Sequence, residues 1–169
     1  MILYNHYWCF KSALSSRFCD DIIKYALLQK EQMALIGQYS EKINLNKEDK
    51  KNVIKKRNSD VVWLDETWIY KEIHPYINIA NKSAGWDFKW DRSQVAQFTK
   101  YKLNQYYDWH CRNYGPHIRD ESRHVQQEKE MLPKGSIIVF PSFVWHRVKP
   151  VTKGTRYSLV LWNTGDPFK

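Results

Sequence analysis

The closing quarter of the chain constrains the fold most. Gly135-Ser136-Ile137-Ile138-Val139-Phe140-Pro141 is followed by Trp145-His146, and then by Arg156-Tyr157-Ser158-Leu159-Val160. Short β-branched and aromatic runs bounded by Gly and Pro read as strands. Between them Lys149 to Thr155 is rich in Lys, Pro and Gly, a turn composition. Two strands joined in this way predict a hairpin centred near Val151, with His146 roughly across from Arg156. Side chains alternate along a strand, so Arg156 and Ser158 share one face. A neutral imidazole is a good ligand for a divalent metal. A guanidinium with a hydroxyl two residues on suits a carboxylate, because its fork donates two parallel hydrogen bonds. The pattern points to a metal held beside an anionic organic acid.

A second histidine ends the run Tyr101-Lys102-Leu103-Asn104-Gln105-Tyr106-Tyr107-Asp108-Trp109-His110. His110, His146 and the Arg156-x-Ser158 pair succeed one another as His, a long interval, His, then Arg-x-Ser. On these residues the chain resembles the iron(II)/2-oxoglutarate-dependent dioxygenases, of the prolyl-4-hydroxylase-like type found in bacteria and their phages. The resemblance is strong over Gln94 to His110 and Pro133 to Lys169, and looser over Tyr7 to Ile36. It implies an α+β fold, a double-stranded β-helix (jelly roll, cupin-like) with flanking N-terminal helices. Length agrees with one domain over 1–169, divided into a support region (1–93) and a jelly-roll core (94–169). The resemblance further implies Fe(II) held by His110 and His146. It implies 2-oxoglutarate held by Arg156, Ser158 and Tyr101, and it admits ascorbate as an accessory. The implied reaction hydroxylates a C–H bond of a peptide, amino acid or small molecule while 2-oxoglutarate loses carbon dioxide and becomes succinate. The implied setting is the cytoplasm of a bacterium or of a phage-infected host.

The family pattern also asks for an Asp two residues after the first His, and Arg112 stands there. A guanidinium cannot ligate iron, and beside a divalent cation it adds repulsion. Three replacements can be conceived: Asp108, which shares the face of His110 in a regular strand; Asp120 or Glu121, folding back from the next segment; or an exogenous anion or water. The interval Cys111 to Leu132 holds only scattered apolar residues and no alternating run. A jelly roll needs about eight strands. After Ser59 the candidates are those around Val62, Phe88, Phe98, Tyr107, Val139 and Leu159. Core strands after the first metal-binding His are therefore expected to be missing, which puts the activity in question. A catalytically impaired remnant of the family is the alternative reading.

Upstream, Tyr4 to Ala13 reads as an aromatic leading strand, and Ser15 or Ser16 as an N-cap. Phe18, Ile22, Ile23, Tyr25, Ala26, Leu27 and Met33 recur at helical spacing to about Gly37. Gln38 to Ser59 is polar and reads as loop with room for a short helix. Asp60 to Leu64 reads as a strand. Glu66 to Ala84 reads as a helix that bends or begins at Pro75. Trp86 to Trp90 and Gln94 to Lys102 read as strands.

The formal net charge is +9, which raises the question of nucleic acid. Much of the excess sits in Lys42 to Arg57, a run read as a solvated face. No nucleic-acid motif accompanies it, so a basic nucleic-acid-binding protein is the weaker alternative. No segment approaches the ~20 apolar residues of a membrane span. Met1 to Phe10 has no basic n-region and no apolar h-region, so no signal peptide is expected. Cys9, Cys19 and Cys111 lack paired zinc spacing and read as reduced thiols. The sequence leaves the oligomeric state open.

Overall fold

The structure, a computed structural model, describes residues 4–36, 44–111 and 133–165. The predicted leading strand contains β1 (Trp8–Phe10). Ser15 caps α1 (Ser16–Leu27), its Oγ accepting the Phe18 N–H at 3.1 Å. The periodicity predicts a helix to about Gly37, but α1 stops at Leu27. The chain turns there so that β2 (Gln32–Met33) pairs antiparallel with β4 (Asp60–Leu64) and Ala34 is fully buried. Met33 thus continues the apolar pattern from a strand.

The polar stretch does hold a short helix, α2 (Lys47–Lys56). Asn46 caps it by accepting the Asp49 N–H at 2.8 Å, and Lys55 and Lys56 occupy the last turn, where the helix dipole favours cations. It runs directly into β3 (Arg57–Asn58). In α3 (Thr67–Ser83), Ile69, Ile73, Ile77 and Ala80 form one buried stripe. Pro75 neither begins nor ends this helix. It lies on the exposed side, where water can serve the carbonyl left without a donor.

Trp86 to Trp90 forms no strand. The Asn81 side chain bonds the Phe88 carbonyl at 2.9 Å and the Phe88 N–H at 3.0 Å. Those main-chain groups are therefore met by a side chain and not by a neighbouring strand. The next strands are β5 (Arg92–Ser93), β6 (Ala96–Tyr101), β7 (Tyr106–His110), β8 (Ile137–Val139), β9 (His146–Val148), β10 (Arg156–Val160) and β11 (Asn163–Thr164).

They form a four-stranded sheet, β10-β6-β4-β2, and a three-stranded sheet, β3-β7-β9, with β1-β8 and β11-β5 as separate pairs. One face of the four-stranded sheet packs on the helices. Val62, Leu64 and Phe98 meet Ile22 and Ala26 of α1 and Ile69, Ile73 and Ile77 of α3. Each fully buried aliphatic side chain here contributes about 1.5–3 kcal/mol. The other face carries Gln97, Thr99 and Tyr101 of β6 beside Ser158 and Arg156 of β10.

The predicted hairpin does not form. β9 pairs with β7, and β10 pairs with β6. At its expected centre, Val151 bonds instead to the turn between β6 and β7. It accepts the Asn104 N–H at 2.9 Å and donates its own N–H to the Gln105 carbonyl at 3.1 Å. Pro150 has no N–H to offer a hairpin partner. Both connections, β6 to β7 and β9 to β10, therefore cross side by side from one sheet to the other, and His146 and Arg156 come from different layers.

Candidate active site

β7 and β9 bring the two histidines together. His110 and His146 are register partners, and their ring centroids lie 4.0 Å apart. A β-bulge separates this pair from the next one, Tyr107 and Val148. An extra residue in one strand reverses the alternation beyond it. Tyr107 and His110, three residues apart, consequently face the same way and stack at 3.4 Å and 10°. Asp108 is turned away, and its carboxylate meets Lys56 at 3.5 Å on the surface. The Trp109 N–H holds that carboxyl below its ordinary value, with Lys56 assisting. Asp108 as a replacement ligand is thereby overturned: the equal-face expectation assumes a regular strand, and the bulge breaks it.

Each imidazole is anchored in the same manner. Nδ1 of His110 lies 2.8 Å from the Asp108 carbonyl, and Nδ1 of His146 lies 2.8 Å from the Val144 carbonyl. A carbonyl only accepts, so each Nδ1 carries the proton and each Nε2 keeps its lone pair. Burial pushes the pKa of His110 down to about 4, and the neighbouring His146 adds to this. Burial also lowers His146. Both rings are neutral at pH 7. A histidine satisfied by a main-chain carbonyl is the simplest account of either residue, yet that bond leaves each Nε2, a nitrogen able to ligate a metal, without a hydrogen bond among the described residues. Phe140 packs edge-on against His146 at 4.7 Å.

Across the gap, Arg156 is in register with Tyr101, and Ser158 with Thr99. The Arg156 guanidinium lies 5.8 Å from the centre of the Tyr101 ring, which is buried. Arg156 is open to water, yet burial lowers its pKa. Both hold for a side chain whose charged end packs against the protein while the rest of it meets water. A hollow of about 310 Å³ borders His110 and is walled by Tyr107, Trp109, Cys111, Trp145, Ile36 and Lys56.

One residue of the site departs from its sequence expectation. Arg57 is expected to end a solvated basic run, and Lys47, Lys50, Lys51, Lys55 and Lys56 are indeed exposed. Arg57 itself is only 5% exposed. Its Nε donates to Ser59 Oγ at 3.0 Å, and its Nη2 to Gln97 Oε1 at 3.0 Å and Thr99 Oγ1 at 3.4 Å. The centre of its guanidinium lies 4.5 Å from the centre of the Tyr107 ring. A signal for this exists in the sequence: Arg57, Ser59 and Val61 alternate into the apolar strand run after them, and all three are buried.

Among the described residues no group of three His, Cys, Asp or Glu side chains could hold a metal. Arg112, Asp120 and Glu121 lie outside the described residues, as does nearly all of the interval read as lacking core strands. Among the described residues, no helix is long and apolar enough to cross a membrane.

No family model matches the chain. A 48-residue segment, 28% of the chain, is 42% identical to the PKHD-type hydroxylases of two Synechococcus strains, JA-2-3B'a(2-13) and JA-3-3Ab. It spans 21% of the length of those relatives. The fold is similar over nearly the whole chain to two solved structures. One is the viral collagen prolyl hydroxylase of Paramecium bursaria Chlorella virus-1 in its 2-oxoglutarate complex: TM-score 0.57, 16% identity, 95% of this chain and 96% of that one. The other is a Pseudomonas putida prolyl-4-hydroxylase: TM-score 0.64, 14% identity, 95% and 93%. By its fold along this length, and by sequence in the shared segment, the chain resembles the prolyl-4-hydroxylase-like 2-oxoglutarate oxygenases.

Proposed function

We propose that the protein is an Fe(II)- and 2-oxoglutarate-dependent oxygenase built on a jelly-roll core over 94–169, acting in the cytoplasm on a peptide or small molecule. One observation carries this reading. Two neutral imidazoles whose Nε2 atoms are unengaged among the described residues stand in one layer, and the Arg156, Ser158 and Tyr101 face stands in the other. The donor chemistry fits a divalent metal through His110 and His146; a carboxylate ligand is not among the described residues. Iron(II), when bound, supplies the oxygen chemistry that turns 2-oxoglutarate into succinate and carbon dioxide and hydroxylates a substrate C–H bond.

The chain's own residues prepare for that chemistry. The carbonyls of Asp108 and Val144 hold both imidazoles in the ligating tautomer. Arg156 receives the distal carboxylate of the cosubstrate, with Ser158 as a second donor and the Tyr101 ring as a rigid wall. Phe140 and Tyr107 cover the imidazoles and keep water from them. The aromatic hollow beside His110, with Trp109 and Trp145 as walls and Lys56 on its rim, suits a substrate that presents an apolar ring or chain.

An impaired remnant is the second reading. Arg112 at the position of the expected Asp favours it, as does the outward turn of Asp108. One experiment separates the two. Under anaerobic conditions Fe(II) plus 2-oxoglutarate should give a weak visible charge-transfer band, and oxygen should then yield succinate. Arg156→Gln should weaken 2-oxoglutarate binding by roughly 10–100-fold, the loss of a charge-assisted bond of about 1.5–3 kcal/mol. Folded protein that gives neither band nor succinate sinks the oxygenase reading. Binding of 2-oxoglutarate without succinate supports the remnant.

A further inference from the structure

Arg57 has no part in the chemistry above, yet it is a cation buried between the two layers. Taking a charge out of water is costly unless its donors are met. Three neutral oxygens, of Ser59, Gln97 and Thr99, accept from it, and among the described residues no carboxylate pairs with it. An apolar side chain would tie the sheets together at less desolvation cost. What an apolar side chain cannot do is hold a planar group to β6 by directed hydrogen bonds. The bonds to β6 fix the guanidinium plane. The guanidinium centre lies 4.5 Å from the centre of the Tyr107 ring, and Tyr107 lies flat on His110.

We propose that Arg57 is a positioning residue. Through Tyr107 it sets the plane of the His110 imidazole. Through Gln97 and Thr99 it sets that plane relative to the β6–β10 face bearing Tyr101 and Arg156. His110 is then pinned at two places, its Nδ1 on the Asp108 carbonyl and its ring face on Tyr107. The spacing between the metal-ligand layer and the carboxylate clamp is fixed by one side chain. The value of that spacing to the protein rests on reading His110 as a metal ligand.

The test uses the full metal-free chain with isotope-labelled histidine. In the wild type the Tyr107 ring should shift the carbon-bound ring protons of His110 strongly upfield. Arg57→Gln and Arg57→Lys should return them toward unstructured values. His74, held against Trp90 and Ser93 at a separate place, should not move and reports that the fold is intact. Cobalt(II) affinity should fall roughly 10–100-fold, the usual cost of losing a partner that orients a ligand. If Arg57→Gln does not fold, Arg57→Lys decides, since it keeps the charge and loses the planar fork. Tyr107→Leu, which leaves the bonds to β6 intact, should produce the same His110 shift. Unmoved His110 protons in folded Arg57 variants, with cobalt bound within about twofold of wild type, overturn the proposal. Failure of the metal reading shows separately, as wild-type protein that binds no cobalt, and the imidazole shifts still answer for Arg57.

Discussion

His110 expresses its burial as a dependence of stability on pH. Its ordinary pKa of 6.5 is pushed down to about 4. Between those values the unfolded chain takes up a proton that the folded chain refuses. By linkage, stability falls as the pH drops from 6.5 toward about 4, and above 6.5 this contribution no longer varies. His146 and His74, both lowered by burial, act in the same direction. The urea midpoint of metal-free protein should therefore decline across that window, and His110→Phe should flatten part of the decline. A midpoint constant from pH 6.5 to about 4 would contradict the buried, neutral imidazoles. At this scale much of the candidate site was legible in the sequence. His110, His146, Arg156 and Ser158 stand out because their chemistry is specific and their spacing recurs in a known family. Asp108 misleads because strand alternation, without its bulge, puts it on the wrong face. Arg57 misleads because a run so dense in cations looks like one surface, although alternation already sets Arg57 apart from the helical lysines before it.

Elements were legible where one period governs burial. The stripe of α3 and the buried side of α1 follow from isoleucine and alanine spacing alone. The end of α1 and the path after β9 were not legible, because long-range pairing decided them. Met33 fits a helical pattern and a strand edge equally well, and only β4 chooses between them. The segment around Val151 fits a hairpin turn, and only the turn between β6 and β7 makes it a crossover. Energetics at this scale can be checked within α3. Ile69 is fully buried against the sheet, so Ile69→Ala should cost about 2–5 kcal/mol. Pro75 is exposed within the same helix and withholds one main-chain bond. Pro75→Ala should therefore stabilise, by roughly 1–3 kcal/mol. Urea unfolding of the two variants measures both. Equal signs would mean that the helix does not pack as described.

At the scale of the whole molecule, two sheets face each other across a site whose charges do not balance. Arg57 and Arg156 contribute two cations, the imidazoles are neutral, and among the described residues no carboxylate joins His110 and His146. Two cations at such a site disfavour a bare divalent ion and favour an anion, so metal and 2-oxoglutarate should each tighten the binding of the other. Arg112 lies two residues beyond His110 and adds a further cation to the sequence at this place. Arg112→Asp replaces that cation with an anion and offers a carboxylate. A unit charge about 4 Å from an ion is worth about 4 kcal/mol at an effective dielectric constant near 20. Even after heavy screening, cobalt(II) affinity should rise at least roughly tenfold, as read by its visible absorption. Metal binding alone does not decide between the oxygenase and the remnant; turnover of the loaded variant does. Succinate formation in that variant would mean that one ligand was all the site lacked, and the remnant reading would fail. Tight metal without succinate would place the defect elsewhere in the fold. The stretch after His110, where the sequence offers no run long enough for a core strand, is the segment that such a result would implicate.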